Sequence, residues 1–226
     1  MAQQTSDLWN MLWRMENTSK EYAFEISGIW YGPEAEVSHS VENSLYDEFG
    51  IGNATTAKLS LSLYAENILR GAVIKRYVRL VNGSQTSEWL PKGIFFTNRR
   101  SMEDGLWTIE AFDAMRKAET IWEPDSSLKF PMSMSNVVNL LAGFMNVEID
   151  PRTVINSNYT IDSPGNTCTF RQIFQWIAAA HGGNWIITDE GKLLLVPLLS
   201  TPYETNYLID ERGDAITFGG DRILVG

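Results

Sequence analysis

The chain has 226 residues, 44% of them hydrophobic, and its 28 acidic against 18 basic side chains give a formal net charge of −10. A chain of this length buries roughly 70% of its unfolded surface, so it needs neither metal nor disulfide to fold, and a single cysteine, Cys168, excludes an intrachain disulfide and a thiolate metal cage. The acidic balance argues against specific nucleic-acid binding, which relies on Lys and Arg at phosphates, and no apolar run approaches the roughly 20 residues needed for membrane insertion.

Met1 to Lys20 lacks the basic start and apolar centre of a signal peptide. Leu8, Trp9, Met11, Leu12 and Met15 instead have the spacing of a short amphipathic helix. Tyr22 to Tyr31 and Glu34 to Glu42 read as two strands joined by a turn at Gly32-Pro33, and the small residues of 49–56 read as a connection. Lys58 to Tyr64 alternates strictly, with Leu59, Leu61 and Leu63 on one face and Ser60 and Ser62 on the other, the period of a half-buried strand. Gly71 to Val81 runs into Asn82-Gly83, a strong hairpin signal. Strands over Glu88 to Asn98 and Trp107 to Phe112 follow, the second after a turn at Glu103-Asp104-Gly105. About six strands thus end near Phe112, enough for a small β-barrel or a curled antiparallel sheet. Asp113, an N-cap, then opens a run of helix formers to Glu119.

The chain changes character beyond this point. Pro124, Pro131 and the stretch between them form an irregular crossing. Val137, Val138, Leu140, Leu141, Phe144 and Met145 have helical spacing with Ser135 as N-cap, and Val137, Leu141 and Phe144 are expected to form the apolar face. Thr169-Phe170-Arg171-Gln172 is a capping box, Phe170, Ile173, Phe174 and Ile177 form its stripe, and Gly182-Gly183 ends the helix. Asn184 to Thr188 and Lys192 to Pro197 form a hairpin around Asp189-Glu190-Gly191. The expected fold class is α+β: a β-barrel or curled sheet over 1–118, a small α/β domain over 119–200, and at 201–226 the incomplete start of a further β domain, with Tyr203 to Leu208, Ala215 to Gly220 and Ile223 to Val225 as its first segments.

Chemistry-bearing motifs are few. His181 stands at a helix end, where an imidazole meets the dipole and the last carbonyls, and His39 lies on a strand with an exposed or interfacial role. Two isolated histidines and Cys168 offer no metal-ligand spacing, and no cofactor is expected. Ala72-Val73-Ile74-Lys75 lacks the rest of a kinase signature, and Gly50-Ile51-Gly52 lacks the third glycine of a dinucleotide loop. A carboxylate pair of Glu103 or Asp104 with Glu110 is the one glycosidase-like candidate. Trp30, Trp107 and Trp185 fall on strands and read as core. Between Asn67 and Met102 seven basic residues face Glu88 alone, a local charge of +6 that leaves −16 on the remainder. Lys75, Arg79, Arg99 and Arg100 from that stretch, with Trp89 and Trp122 at element ends beside prolines, are the candidate subunit-interface residues.

Leu80-Val81-Asn82-Gly83, Trp89 to Phe96 (WLPKGIFF) and Ala111 to Met115 (AFDAM) together resemble the N-terminal region of bacteriophage tail hub proteins, the baseplate-hub or tail-associated class of phages and prophages of Gram-positive hosts. Ser44 to Asp47 with Ile51 to Ala54, and Ile177 to Trp185 with Gly191 to Leu193, extend the resemblance over most of Ser44 to Leu198. It implies a virion structural protein without enzymatic activity. Such a protein forms a homotrimeric ring that closes the tail tube, contacts a distal-tail, tail-tube or tape-measure protein, and carries spike, fibre or lytic parts. It is made in the host cytoplasm and ends in the virion tail. A tail-associated cell-wall hydrolase and a Trp-based glycan-binding module are the alternatives.

Overall fold

The computed structural model describes residues 5–43, 50–123, 127–163, 165, 167–198, 217–218 and 221–222. Helix α1 (Asp7–Arg14) is followed by β1 (Ser19–Ile26), β2 (Ile29–Tyr31), β3 (Glu36–Glu42), β4 (Lys58–Tyr64), β5 (Val73–Asn82), β6 (Gln85–Thr86), β7 (Leu90–Glu103) and β8 (Leu106–Phe112). These eight strands form one antiparallel sheet in the order β2-β1-β5-β7-β8-β4-β3, with β6 added to β5. Leu59, Leu61 and Leu63 are buried as the alternation of β4 requires, and they share one core with Phe24, Ile26, Ile74, Phe95, Trp107 and Ile109.

The sheet curls but does not close, so the barrel expectation gives way to the curled sheet. Among the described residues β2 pairs only with β1 and β3 only with β4. Curling nevertheless brings the two ends together through side chains. His39 on β3 lies edge-on to Tyr22 and Phe24 of β1, with ring centroids 4.3 and 5.4 Å apart. Its Nε2 is 3.1 Å from the Arg76 guanidinium and its Nδ1 is 2.5 Å from Glu36. The seam is a side-chain clasp, His39 of β3 against Tyr22, Phe24 and Arg76, with Glu36 of the same strand holding the imidazole, rather than a ladder of backbone bonds.

Two turns differ from expectation. Tyr22 to Tyr31 is two strands, because Ser27 (φ 50°) and Gly28 (φ 88°) both take left-handed conformations, the signature of a tight hairpin turn. The second hairpin turns on Gly83 (φ 59°) and Ser84, one residue later than expected, since Asn82 already pairs with Gln85. The turn at Asp104-Gly105, with φ of 49° and 81°, stands where it was expected.

After β8, Asp113 caps a 3-10 turn over Ala114–Glu119. β9 (Met132–Ser133), α2 (Met134–Met145), β10 (Thr160–Ile161), α3 (Phe170–Ala180), β11 (Gly183–Ile187) and β12 (Leu193–Pro197) build a second core. The N-cap of α2 is Ser133, not Ser135; the Asn136 N–H donates to its hydroxyl at 3.2 Å. Val137, Val138, Leu141 and Met145 face inward, whereas Phe144 is 63% exposed and stacks on Phe170, so it leaves the predicted apolar face. The capping box of α3 forms, with the Thr169 N–H donating to Gln172 Oε1 and the Gln172 N–H to Thr169 Oγ1. His181 caps the helix end: its Nδ1 meets the Ile177 carbonyl at 2.8 Å and its Nε2 accepts from the Asn156 N–H. Two backbone pairs, β13 (Thr217–Phe218) with β14 (Asp221–Arg222), stand in the last segment. The readings at Ser44 to Asp47, Pro124, Tyr203 to Leu208 and Ile223 to Val225 lie outside the described residues.

The connection over 50–57 stitches the two parts together. Gly52 donates to Gly183, Trp185 to Asn53, and the Asn184 amide brackets Asn53 and Gly50. Gly52 has φ +83°, and a Cβ there would meet Ala179 at 3.1 Å, so only glycine lets this loop lie against α3.

Two buried carboxylates give the fold opposite pH dependences. Asp150, with a side chain 6% exposed, is held by the Nε (2.8 Å) and NH2 (2.7 Å) of Arg152, which pushes it down to about 2. Its contribution to stability is present above pH ~4 and is lost as pH falls towards 2. Burial pushes Asp113 up to about 6, against the backbone N–H groups of Ala57 and Met115 and the charge of Arg171. That contribution is full below pH ~4 and is lost as pH rises through 6. Relative to Asp113→Asn, the wild-type protein is therefore expected to lose about 2 kcal/mol between pH 4 and 7 in urea melts. A difference that stays flat with pH would show that the carboxyl is ionised throughout.

Candidate functional site

Strand alternation places Glu21, Ala23 and Glu25 of β1 on the outer face of the sheet, opposite Arg79, Tyr77 and Lys75 of β5. The directly opposed charges pair: Arg79 with Glu21 at 2.7 Å and Lys75 with Glu25 at 2.9 Å, while the Tyr77 hydroxyl donates to Glu25 at 3.1 Å. The Lys75 hydrogen bond holds the Glu25 carboxyl below its ordinary range, and the same bond raises Lys75. Trp30 stands opposite Glu25 on β2 and so joins this face. Its ring lies 5.1 Å from Tyr77 and 5.5 Å from Trp89, and the Arg79 guanidinium sits 4.5 Å over Trp89. The result is an aromatic cluster, Trp30–Tyr77–Trp89, framed by cross-strand ion pairs and rich in the residue types that anchor protein interfaces.

Of the six predicted interface residues, Lys75, Arg79 and Trp89 meet here. Arg99 and Arg100 do not; they lie about ten residues further along β7, roughly 30 Å by strand rise. β5 stops pairing with β7 at Phe96, and β7 continues with β8 alone to Glu103. On this projecting part Arg99 is exposed 4.0 Å from Glu110, and Arg100 covers the Trp107 ring at 5.1 Å. With Arg70 they line a concavity of about 980 Å³. Trp122 presents no surface: it is 1% exposed in the second core against Phe170, its backbone N–H bonded to the Cys168 carbonyl, so it leaves the interface set.

Trp30, expected in the core, is 46% exposed, and its place in the cluster follows from the unrecognised turn at Ser27-Gly28. That dipeptide is the signal that locates it. Trp107 and Trp185 are core as expected, and Cys168 is buried. The glycosidase-like candidates do not form a shared site: Glu103 stands opposite Leu106, four residues and about 13 Å of backbone along the strand from Glu110, and Asp104 lies in the turn beyond it. Glu110 is also engaged by Lys58 and Asn98. Among the described residues no group of three His, Cys, Asp or Glu side chains is placed to hold a metal ion. Nor is any helix among them long and apolar enough to cross a membrane.

No family model and no curated protein matches the sequence. Solved structures do share its fold. The 43 kDa tail protein of prophage MuSo2 from Shewanella oneidensis superposes with a TM-score of 0.52 at 12% identity, over 88% of this chain and 61% of that one. The tail protein from Neisseria meningitidis MC58 gives the same TM-score at 11% identity, over 88% of this chain and 53% of that one. The chain thus spans little more than half the length of these neighbours.

Proposed function

We propose that this chain is a non-enzymatic structural component of a phage or prophage tail, acting as a hub at the tail tip. In this reading the full-length protein forms a homotrimeric ring that closes the tail tube. One side meets a distal-tail, tail-tube or tape-measure protein, and the other carries spike, fibre or lytic parts, in a phage of a Gram-positive host. The observation that carries the reading is the fold, a curled antiparallel sheet with an α/β unit stitched to it, shared with prophage and bacterial tail proteins across most of the chain. The Trp30–Tyr77–Trp89 face supports it, because a half-exposed aromatic cluster with an arginine stacked on it suits a subunit contact.

The test is assembly of the full-length protein by sedimentation and negative-stain imaging, alone and with its tail-tube or distal-tail partner. A trimer with a central pore is expected, and the double variant Trp89→Ala/Arg79→Glu is expected to shift it to monomer at micromolar concentration. A monomer under both conditions would reject the hub.

A further inference from the structure

Beneath α1, on the inner face of the sheet, lies a second concavity of about 490 Å³, within the usual range for ligand pockets. Its walls carry three aromatic rings, Trp9, Trp13 and Tyr22, and three cations, Lys20, Arg76 and Lys92, and no carboxylate is among the lining residues. Such a concentration of positive charge on an acidic protein runs against the overall balance.

The cations are held in different ways. Lys20 rests 4.8 Å over the Trp13 ring, and Trp13 is 59% exposed, so both stand at the open rim. Lys92 reaches Asp189 at 3.0 Å. Arg76 is the deep one: its guanidinium lies 4.7 Å over the Tyr22 ring, and one terminal nitrogen meets His39 Nε2 at 3.1 Å. Its Nε–H is buried with no acceptor, and among the described residues Arg76 has no carboxylate within ion-pair distance. The carboxylates whose charge acts on it are Asp189, already paired with Lys92, and Glu36, which touches His39 instead. A guanidinium withdrawn from water with a donor unused is costly unless an anion completes it.

We propose that this groove binds a carboxylate carried beside an aromatic ring, supplied by an acidic–aromatic stretch of a partner polypeptide. The carboxylate meets Arg76, with Lys20 and Lys92 adding to the attraction, and the ring packs against Trp9 and Trp13. The open rim favours a peptide over a free organic acid, since a small molecule there would remain half in water. The site lies on the opposite face of the sheet from the Trp30–Trp89 cluster and does not depend on ring assembly.

Two probes decide it, titrated into the protein with tryptophan fluorescence as the readout: a blocked tetrapeptide of alternating glutamate and phenylalanine, and phenylacetate. Saturable binding of the peptide is expected, weakened about tenfold when its glutamates become glutamines, the cost of roughly one charged hydrogen bond. Arg76→Met is expected to produce a similar loss. Lys20→Gln, at an exposed rim position that leaves the core intact, is expected to weaken binding about threefold. Equal affinity for the glutamate and glutamine peptides, or binding indifferent to both variants, overturns the proposal. Saturation by phenylacetate without peptide binding overturns the assignment to a polypeptide.

Discussion

Phe174→Ala is expected to destabilise the protein by about 3–5 kcal/mol, the range for truncating a fully buried aromatic ring. Phe174 is completely buried on α3, its ring centroid 5.4 Å from that of Trp185. Trp185 is itself fully buried and donates from Nε1 to the Phe174 carbonyl at 2.9 Å. The cavity therefore opens beside a ring whose position is fixed by its own hydrogen bond, and collapse around it is restricted. Denaturant melts at constant m-value measure the effect. A loss below about 1 kcal/mol would mean that the α3–β11 contact is looser than the close packing of a protein core.

Arg171→Met is expected to cost a similar amount, about 3–5 kcal/mol, for a different reason. The guanidinium, on a side chain 17% exposed, donates to the Ala54 carbonyl, the Thr56 hydroxyl and the Met115 carbonyl, while Nε meets Glu119 at 2.8 Å. The Glu119 pair is half solvated and adds little. The weight rests on two backbone carbonyls that lose charged donors where water cannot replace them. Methionine keeps much of the volume, so the loss is polar. Arg171→Lys is expected to recover only part of it, because one ammonium cannot span three acceptors spread over two segments. Amide exchange over 50–57 is expected to quicken in both variants; protection equal to wild type would place the stitch elsewhere.

The features readable in the sequence are those with a local cause. Leu59, Leu61 and Leu63 alternate and are buried; Thr169 and Gln172 have the spacing of a capping box and form one; Asp104-Gly105 demands a tight turn and makes it. One feature with a local cause escaped as well: the Ser27-Gly28 hairpin sets Trp30 opposite Glu25 and turns it outward. The rest of what escaped depends on residues far apart in the chain. Trp122 stands next to Pro124 in sequence as an element end would, yet Cys168 and Phe170, more than forty residues on, draw it into the core. Arg171 reads as an ordinary helix residue, because its acceptors at Ala54, Thr56 and Met115 are distant in sequence. Arg76 and His39, 37 positions apart, meet only because the sheet rolls over on itself.

That rolling has a mechanical consequence. A fully laddered cylinder resists a change of girth with every backbone bond around its circumference, and the bonds must fail together. Here the girth is set at one line by His39 against Tyr22, Phe24 and Arg76, whose contacts part singly and re-form without threading a strand. The sheet behaves as a split ring, stiff along its strands and compliant across one slot. Load that widens it is taken up first by β3, whose other flank is laddered to β4.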